Sequence, residues 1–259
     1  MPRPDINDGG PRRRDLLGFI GGTMLVSLFG CFRQLSGSAG GSAAMSDTSA
    51  QASPEAAGQP TCTVRPQQTA GPFFVDEGLN RSDIRPDPTT GAVKPGLPLT
   101  LQFRVSQVGS NACLPLAGAM VDVWHCDAAG VYSDVADRRA STVGQKFLRG
   151  SQVTNADGIA EFITVYPGWY PGRAVHIHFK IRGSSVAGQN YEFTSQLYFD
   201  DALSDRIYAQ APYRDRGQRP TRNSNDGIFR SGGEQLTLPI AQAEEGYIGR
   251  FEIGLELEP

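Results

Sequence analysis

Tyr166-Pro-Gly-Trp-Tyr-Pro-Gly-Arg-Ala-Val-His-Ile-His178 puts a tyrosine and two strand-spaced histidines into one short turn-and-strand unit. Successive side chains along a strand point to opposite faces. His176 and His178 therefore emerge together, while Val175, Ile177, Phe179 and Ile181 line the other face. Two adjacent imidazoles, with the Tyr170 phenol delivered by the preceding Pro-Gly turns, form a transition-metal corner. The competing reading of a His-x-His pair is a polar strand face over an apolar core. The surrounding chain decides between the two.

Strand patterning continues outward from this unit. Leu99, Leu101, Phe103 and Val105 alternate with polar positions, as do Phe251, Ile253, Leu255 and Leu257 near the C-terminus. Val121-Asp-Val-Trp-His-Cys126 and Glu161-Phe-Ile-Thr-Val165 add further strands, bounded by turn signals such as Asn155-Ala-Asp-Gly158. With 31 glycines and 18 prolines in 259 residues, the pattern predicts an all-β fold, an antiparallel β-sandwich with functional residues in its connecting loops.

The front of the chain reads differently. Arg12-Arg13-Arg14-Asp15-Leu16-Leu17 has the twin-arginine export pattern, and Phe19 to Phe29 is an apolar run too short to span a bilayer. Leu28-Phe29-Gly30-Cys31 resembles a lipoprotein cleavage box with Cys31 as the lipidation site, although Phe29 is bulkier than the small residue usual there. Residues 1–31 are thus expected to be a Tat-type signal. A Gly/Ser/Ala-rich stretch, 32–60, follows without periodicity and reads as a tether, and 61–259 as the folded domain. The expected location is periplasmic, cell-surface or secreted, with a membrane tether if Cys31 is lipidated. The net charge of -3, with no basic run outside the leader, gives no sign of a nucleic-acid surface.

Three cysteines remain after the leader. In an oxidising compartment Cys62, at the domain entrance, and Cys113, after the Leu99 strand, are the expected disulfide, and Cys126 is a packed thiol. No Cys-x-x-Cys or comparable spacing supports a Cys/His zinc site. His125, the third and last histidine, shares strand phase with Val121 and Val123 and reads as structural, as Trp124, Trp169 and Phe73-Phe74 read as packing groups.

Val121-to-Tyr132 and Tyr166-to-His178, taken with Gln68-Thr-Ala-Gly-Pro-Phe-Phe74, Phe147-Leu-Arg-Gly150, Thr194-Ser-Gln-Leu-Tyr-Phe199 and Asn223-Ser-Asn-Asp-Gly-Ile228, carry a resemblance. In these motifs and their order the chain resembles the intradiol ring-cleavage dioxygenases, the non-haem Fe(III) family that includes protocatechuate 3,4- and catechol 1,2-dioxygenases, and specifically its small exported branch. The resemblance implies that Tyr132, Tyr170, His176 and His178 ligate Fe(3+), Tyr132 and His176 equatorially and the other two axially. Hard phenolate donors suit ferric iron. It further implies that Arg173 stabilises developing charge, that Gln196 lies beside the pocket, and that Tyr170 takes a substrate proton.

The implied reaction is cleavage of a catechol between its hydroxylated carbons with O2, giving a muconate-type diacid. Two features depart from the large cytosolic enzymes. The Tyr170-to-His176 interval is shorter, trimming one pocket wall, and a flexible tether replaces the helical N-terminal segment through which the catechol enzymes dimerise. Substrate identity and assembly therefore do not transfer. The alternative from another class is a surface-tethered β-sandwich binding module without turnover. A zinc hydrolase is disfavoured by the two tyrosine ligands and the lack of a positioned general base.

Overall fold

The computed structural model describes residues 63–109, 112–136, 141–185 and 188–257. The signal, the tether, Cys31 and Cys62 lie outside the described residues. Nine strands and one short helix follow in order: β1 (Pro98–Val108), β2 (Cys113–Pro115), β3 (Met120–Trp124), β4 (Arg149–Val153), β5 (Ile159–Val165), β6 (His176–Ser184), β7 (Asn190–Tyr198), α1 (Asp201–Tyr208), β8 (Ile240–Gln242) and β9 (Tyr247–Glu256).

The strands form two sheets, β2-β1-β9-β8 with β5 also paired to β1, and β4-β3-β6-β7. Their apolar faces pack together. Leu99, Leu101, Phe103 and Val105 of β1 and Phe251, Ile253 and Leu255 of β9 are buried in one core with Val121, Val123, Ile177, Phe179 and Ile181 of the second sheet. Phe179 touches both opposing aromatics, with ring centroids 5.2 Å from Phe103 and 5.6 Å from Phe251. Fully burying such a side chain contributes roughly 1.5–3 kcal/mol, so this contact ties one sheet to the other.

The sandwich is as the alternation predicts, but one ladder is not antiparallel. β1 and β9 run parallel over ten paired residues, Leu99 with Tyr247 through Val108 with Glu256. A parallel pair needs a long crossover rather than a hairpin. Nearly the whole fold serves as that connection, which periodicity within either strand cannot reveal.

What positions the site is the register of the second sheet. His176 pairs with Tyr198 and His178 with Gln196 across the β6–β7 hairpin, and Trp124 of β3 pairs with His178 on the other side. Trp124, His178 and Gln196 therefore form one row on the face turned away from the core. A one-residue slip would turn Ile177, Phe179 and Ile181 outward and both histidines into the core. The core residues on the opposite face of β6 fix that register.

Candidate metal centre

The segment before β1 covers the outer face of this sheet. Gln68 N–H donates to the Thr194 carbonyl at 2.9 Å and Ser195 Oγ to the Pro66 carbonyl at 2.8 Å, laying residues 66–69 along β7, while Phe74 packs on Trp124 of β3. Gly71 adopts φ +67°, a conformation L side chains rarely take, and an added Cβ would sit 3.4 Å from His178 Cε1. The backbone thus turns directly over the imidazole.

Two loops bring the tyrosines. After β3, Asp127 Oδ1 accepts from the Ala129 and Val131 N–H groups, closing a turn that delivers Tyr132. Arg149, buried, then clamps the chain just beyond it, donating through Nε to Ser133 Oγ at 2.9 Å and through Nη2 to the Ser133 carbonyl at 2.7 Å. The second loop, Tyr166 to Arg173, packs against the first so closely that a Cβ on Gly130 would overlap the Trp169 carbonyl, and one on Gly168 the carbonyls of Asp127 and Ala128. Glycine is required at both crossings. Phe73 stacks on Tyr132 at 4.4 Å and meets Tyr170 edge-on at 6.3 Å, wedging the two phenols.

Four donor atoms converge here. His176 Nε2 lies 3.1 Å from His178 Nε2, 3.1 Å from the Tyr170 hydroxyl and 3.4 Å from the Tyr132 hydroxyl. His176 Nδ1 donates to its own loop's Ala174 carbonyl at 2.7 Å, which assigns the ring hydrogen to Nδ1 and points the Nε2 lone pair into the cluster. Trp124 stacks on the His178 ring at 5.0 Å with an interplanar angle of 5°. Burial, reinforced by Arg173, pushes His176 down to about 3, and burial with His176 beside it pushes His178 well below its ordinary value. Both imidazoles are therefore neutral donors.

Burial pushes the Tyr132 phenol well above its usual range and the Tyr170 phenol up to about 12. Two imidazole nitrogens and two phenol oxygens converge on one point, and the buried Nδ1 of His178 has no hydrogen-bond partner among the described residues. A bound cation would take the lone pairs that meet there and convert the phenols to phenolates, so the donor set fits a hard transition-metal ion. Among the described residues no group of three or more His, Cys, Asp or Glu side chains converges in a metal-ligand cluster. The converging set needs its tyrosines.

Access is asymmetric. Tyr132, His176 and His178 are buried, whereas Tyr170 and Arg173 are only partly covered, so the donor cluster opens on their side. Arg173 is held in a fork: Nε donates to Asp226 Oδ2 at 3.0 Å, Nη2 to Gln196 Oε1 at 2.6 Å, and Nη1 points at His176 Nε2 from 3.4 Å. Gln196 is fully buried, and its Nε2 donates to the Thr69 carbonyl at 2.8 Å. Its amide thus links the covering segment to Arg173.

The family described as Dioxygenase matches residues 69–227, from the covering segment through Asp226. The chain belongs to the intradiol ring-cleavage dioxygenases, a family of oxidoreductases. It is 32% identical over 167 residues to the protocatechuate 3,4-dioxygenase beta chain of Burkholderia cepacia, covering 60% of this chain and 69% of that one. It is 28% identical over 162 residues to catechol 1,2-dioxygenase 1 of Acinetobacter lwoffii, covering 52% of this chain and 49% of that relative, about half its length. Among solved structures, an intradiol ring-cleavage dioxygenase from Tetranychus urticae superposes with a TM-score of 0.62 at 30% identity, covering 75% of this chain and 94% of that one.

The remaining sequence expectations sort plainly. His125 is fully buried, with Nδ1 2.8 Å from the Cys126 carbonyl and Nε2 2.6 Å from Thr164 Oγ1, away from the donor cluster. Cys126 is a buried free thiol whose pKa burial pushes up to about 12. Cys113 is disulfide-bonded, and its expected partner, Cys62, lies outside the described residues. Asp226 and Tyr198 also belong to the site, although no local pattern in the sequence marks either one. Asp226 lies inside the Asn223-to-Ile228 motif that carries the resemblance, and its partner Arg173 is 53 positions away. Tyr198 donates to Gln68 Oε1 at 2.8 Å, securing the covering segment.

Proposed function

We propose that the protein is an exported non-haem Fe(III) intradiol dioxygenase that opens a catechol-type ring between its two hydroxylated carbons, using O2 to give a muconate-type diacid. The observation that carries this reading is the convergence of Tyr132, Tyr170, His176 and His178 around one point, in a chain of this family. These four residues would hold the iron through two phenolate oxygens and two Nε2 atoms. Bound ferric iron supplies a Lewis acid that draws electron density from a catechol dianion and so makes its ring carbon reactive toward O2.

The protein's own groups prepare that substrate. Tyr170 sits at the open side of the cluster, where its phenolate oxygen takes one catechol proton, while the buried Tyr132 stays in place. Arg173 stands at the same opening with its Nη1 aimed at the cluster, where a fixed guanidinium stabilises negative charge as it develops on the substrate oxygens. The Phe73 ring, the covering segment and Trp124 exclude water from the other sides, which strengthens both effects. Export by the Arg12-Arg13 signal suits a fold delivered with its metal already loaded.

The test is direct. The pure protein should carry iron and the burgundy colour of tyrosinate-to-Fe(III) charge transfer, and a panel of catechols should reveal which ring it opens. A colourless, iron-free protein that leaves every catechol intact would support the tethered binding module instead.

A further inference from the structure

We infer that Asp226 is a positioning residue for this site, setting the guanidinium of Arg173 from a buried carboxylate; the inference rests on the dioxygenase reading above. Asp226 is 1% exposed, and both of its oxygens are committed. Oδ2 accepts from Arg173 Nε at 3.0 Å and from the Ala174 N–H at 2.7 Å. Oδ1 accepts from the Ile228 N–H at 2.7 Å and the Phe229 N–H at 3.2 Å. The two backbone donors on Oδ1 fix the carboxylate, and the fixed carboxylate then fixes what binds Oδ2.

One consequence reaches the donor cluster. Holding Nε leaves Arg173 to direct Nη2 to Gln196 and Nη1 toward His176 Nε2, so the guanidinium has one orientation rather than a rotamer ensemble. The Ala174 N–H on the same Oδ2 anchors the turn that carries Arg173. Thr221 Oγ1 accepts from the Gly172 N–H at 3.2 Å, so the residues before Asp226 brace the same turn from its other end. A lysine at position 173 could not reproduce the fork, because the bond to Asp226 uses Nε of a planar guanidinium.

The experiment compares iron per chain, the visible band, melting temperature, and kcat and KM for catechol in the wild type, Asp226→Asn, Arg173→Ala and the double variant. Asp226→Asn keeps the Oδ1 acceptor for Ile228 and Phe229 but puts an N–H against Arg173. The expected result is retained iron and colour, kcat per iron lowered about ten-fold or more with a smaller change in KM, and a double variant within about two-fold of Arg173→Ala alone, since a residue that acts through Arg173 has nothing left to lose without it. A wild-type kcat per iron in Asp226→Asn, loss of its iron, or losses that multiply in the double variant would each overturn the inference. If Asp226→Asn does not fold, Asp226→Glu, which keeps the charge but displaces it, carries the same double-variant comparison. An inactive, iron-free wild type would instead refute the dioxygenase reading itself.

Discussion

Replacing Arg173 with alanine should separate chemistry from scaffold, because the structure sets the size of both effects. The removed guanidinium is the cation at the open side of the donor cluster, and loss of one fixed charge-stabilising donor costs ~2.7–4 kcal/mol in the transition state, about 10²–10³-fold in kcat. Its loss also strips the buried Asp226 of its ion pair. Breaking a buried pair by removing one partner costs ~3–5 kcal/mol, but Asp226 keeps three backbone N–H donors, from Ala174, Ile228 and Phe229, so the loss should be nearer ~2 kcal/mol. At roughly 2–4 °C per kcal/mol for a domain of this size, the melting temperature should fall by about 4–8 °C. The four donors are untouched, so iron and its visible band should remain. Measured well below the lowered melting point, kcat per iron separates the two effects. A variant with the lower melting temperature but wild-type kcat per iron would remove Arg173 from the chemistry and leave it a scaffold residue.

Two other outcomes follow from groups outside the cluster. Burial lowers His125 from its ordinary 6.5 to about 4. The unfolded chain takes up that proton first as pH falls, so this contribution to stability is fully present above about pH 6.5 and is lost on the way to 4, ~3 kcal/mol in all. Denaturant unfolding of His125→Asn should therefore lose less stability than the wild type between pH 7 and pH 4.5, and parallel losses would remove His125 from the acid response. Peptide mapping under non-reducing conditions should join Cys113 to Cys62, a cross-link worth ~4 kcal/mol in the loop-entropy model; a bond from Cys113 to Cys31 would refute that pairing.

Much of the site was legible because strand geometry is short-range. The His-x-His spacing fixed the shared face of His176 and His178, and the alternation Val175, Ile177, Phe179 and Ile181 fixed which face was core. Both follow from a two-residue period. What the sequence could not carry was register between strands and contact between loops. The pairing of His178 with both Trp124 and Gln196 depends on how three strands align, and the parallel β1–β9 ladder joins residues nearly 150 positions apart. Asp226 illustrates the limit. It lies inside a motif that carries the resemblance, yet its bond to Arg173 arises only after two loops meet.

We propose that two phenols and two imidazoles hold a ferric ion for intradiol cleavage. Turnover of catechol under isotopically labelled O2, with product identification by mass spectrometry, tests it most directly when run beside Tyr132→Phe and His176→Ala. The iron-loaded wild type should yield a ring-opened diacid broken between the hydroxylated carbons and carrying both oxygen atoms, and each variant should lose bound iron or the visible band together with activity. Full iron and full activity in both variants, or a wild-type product cleaved outside the diol, would contradict it.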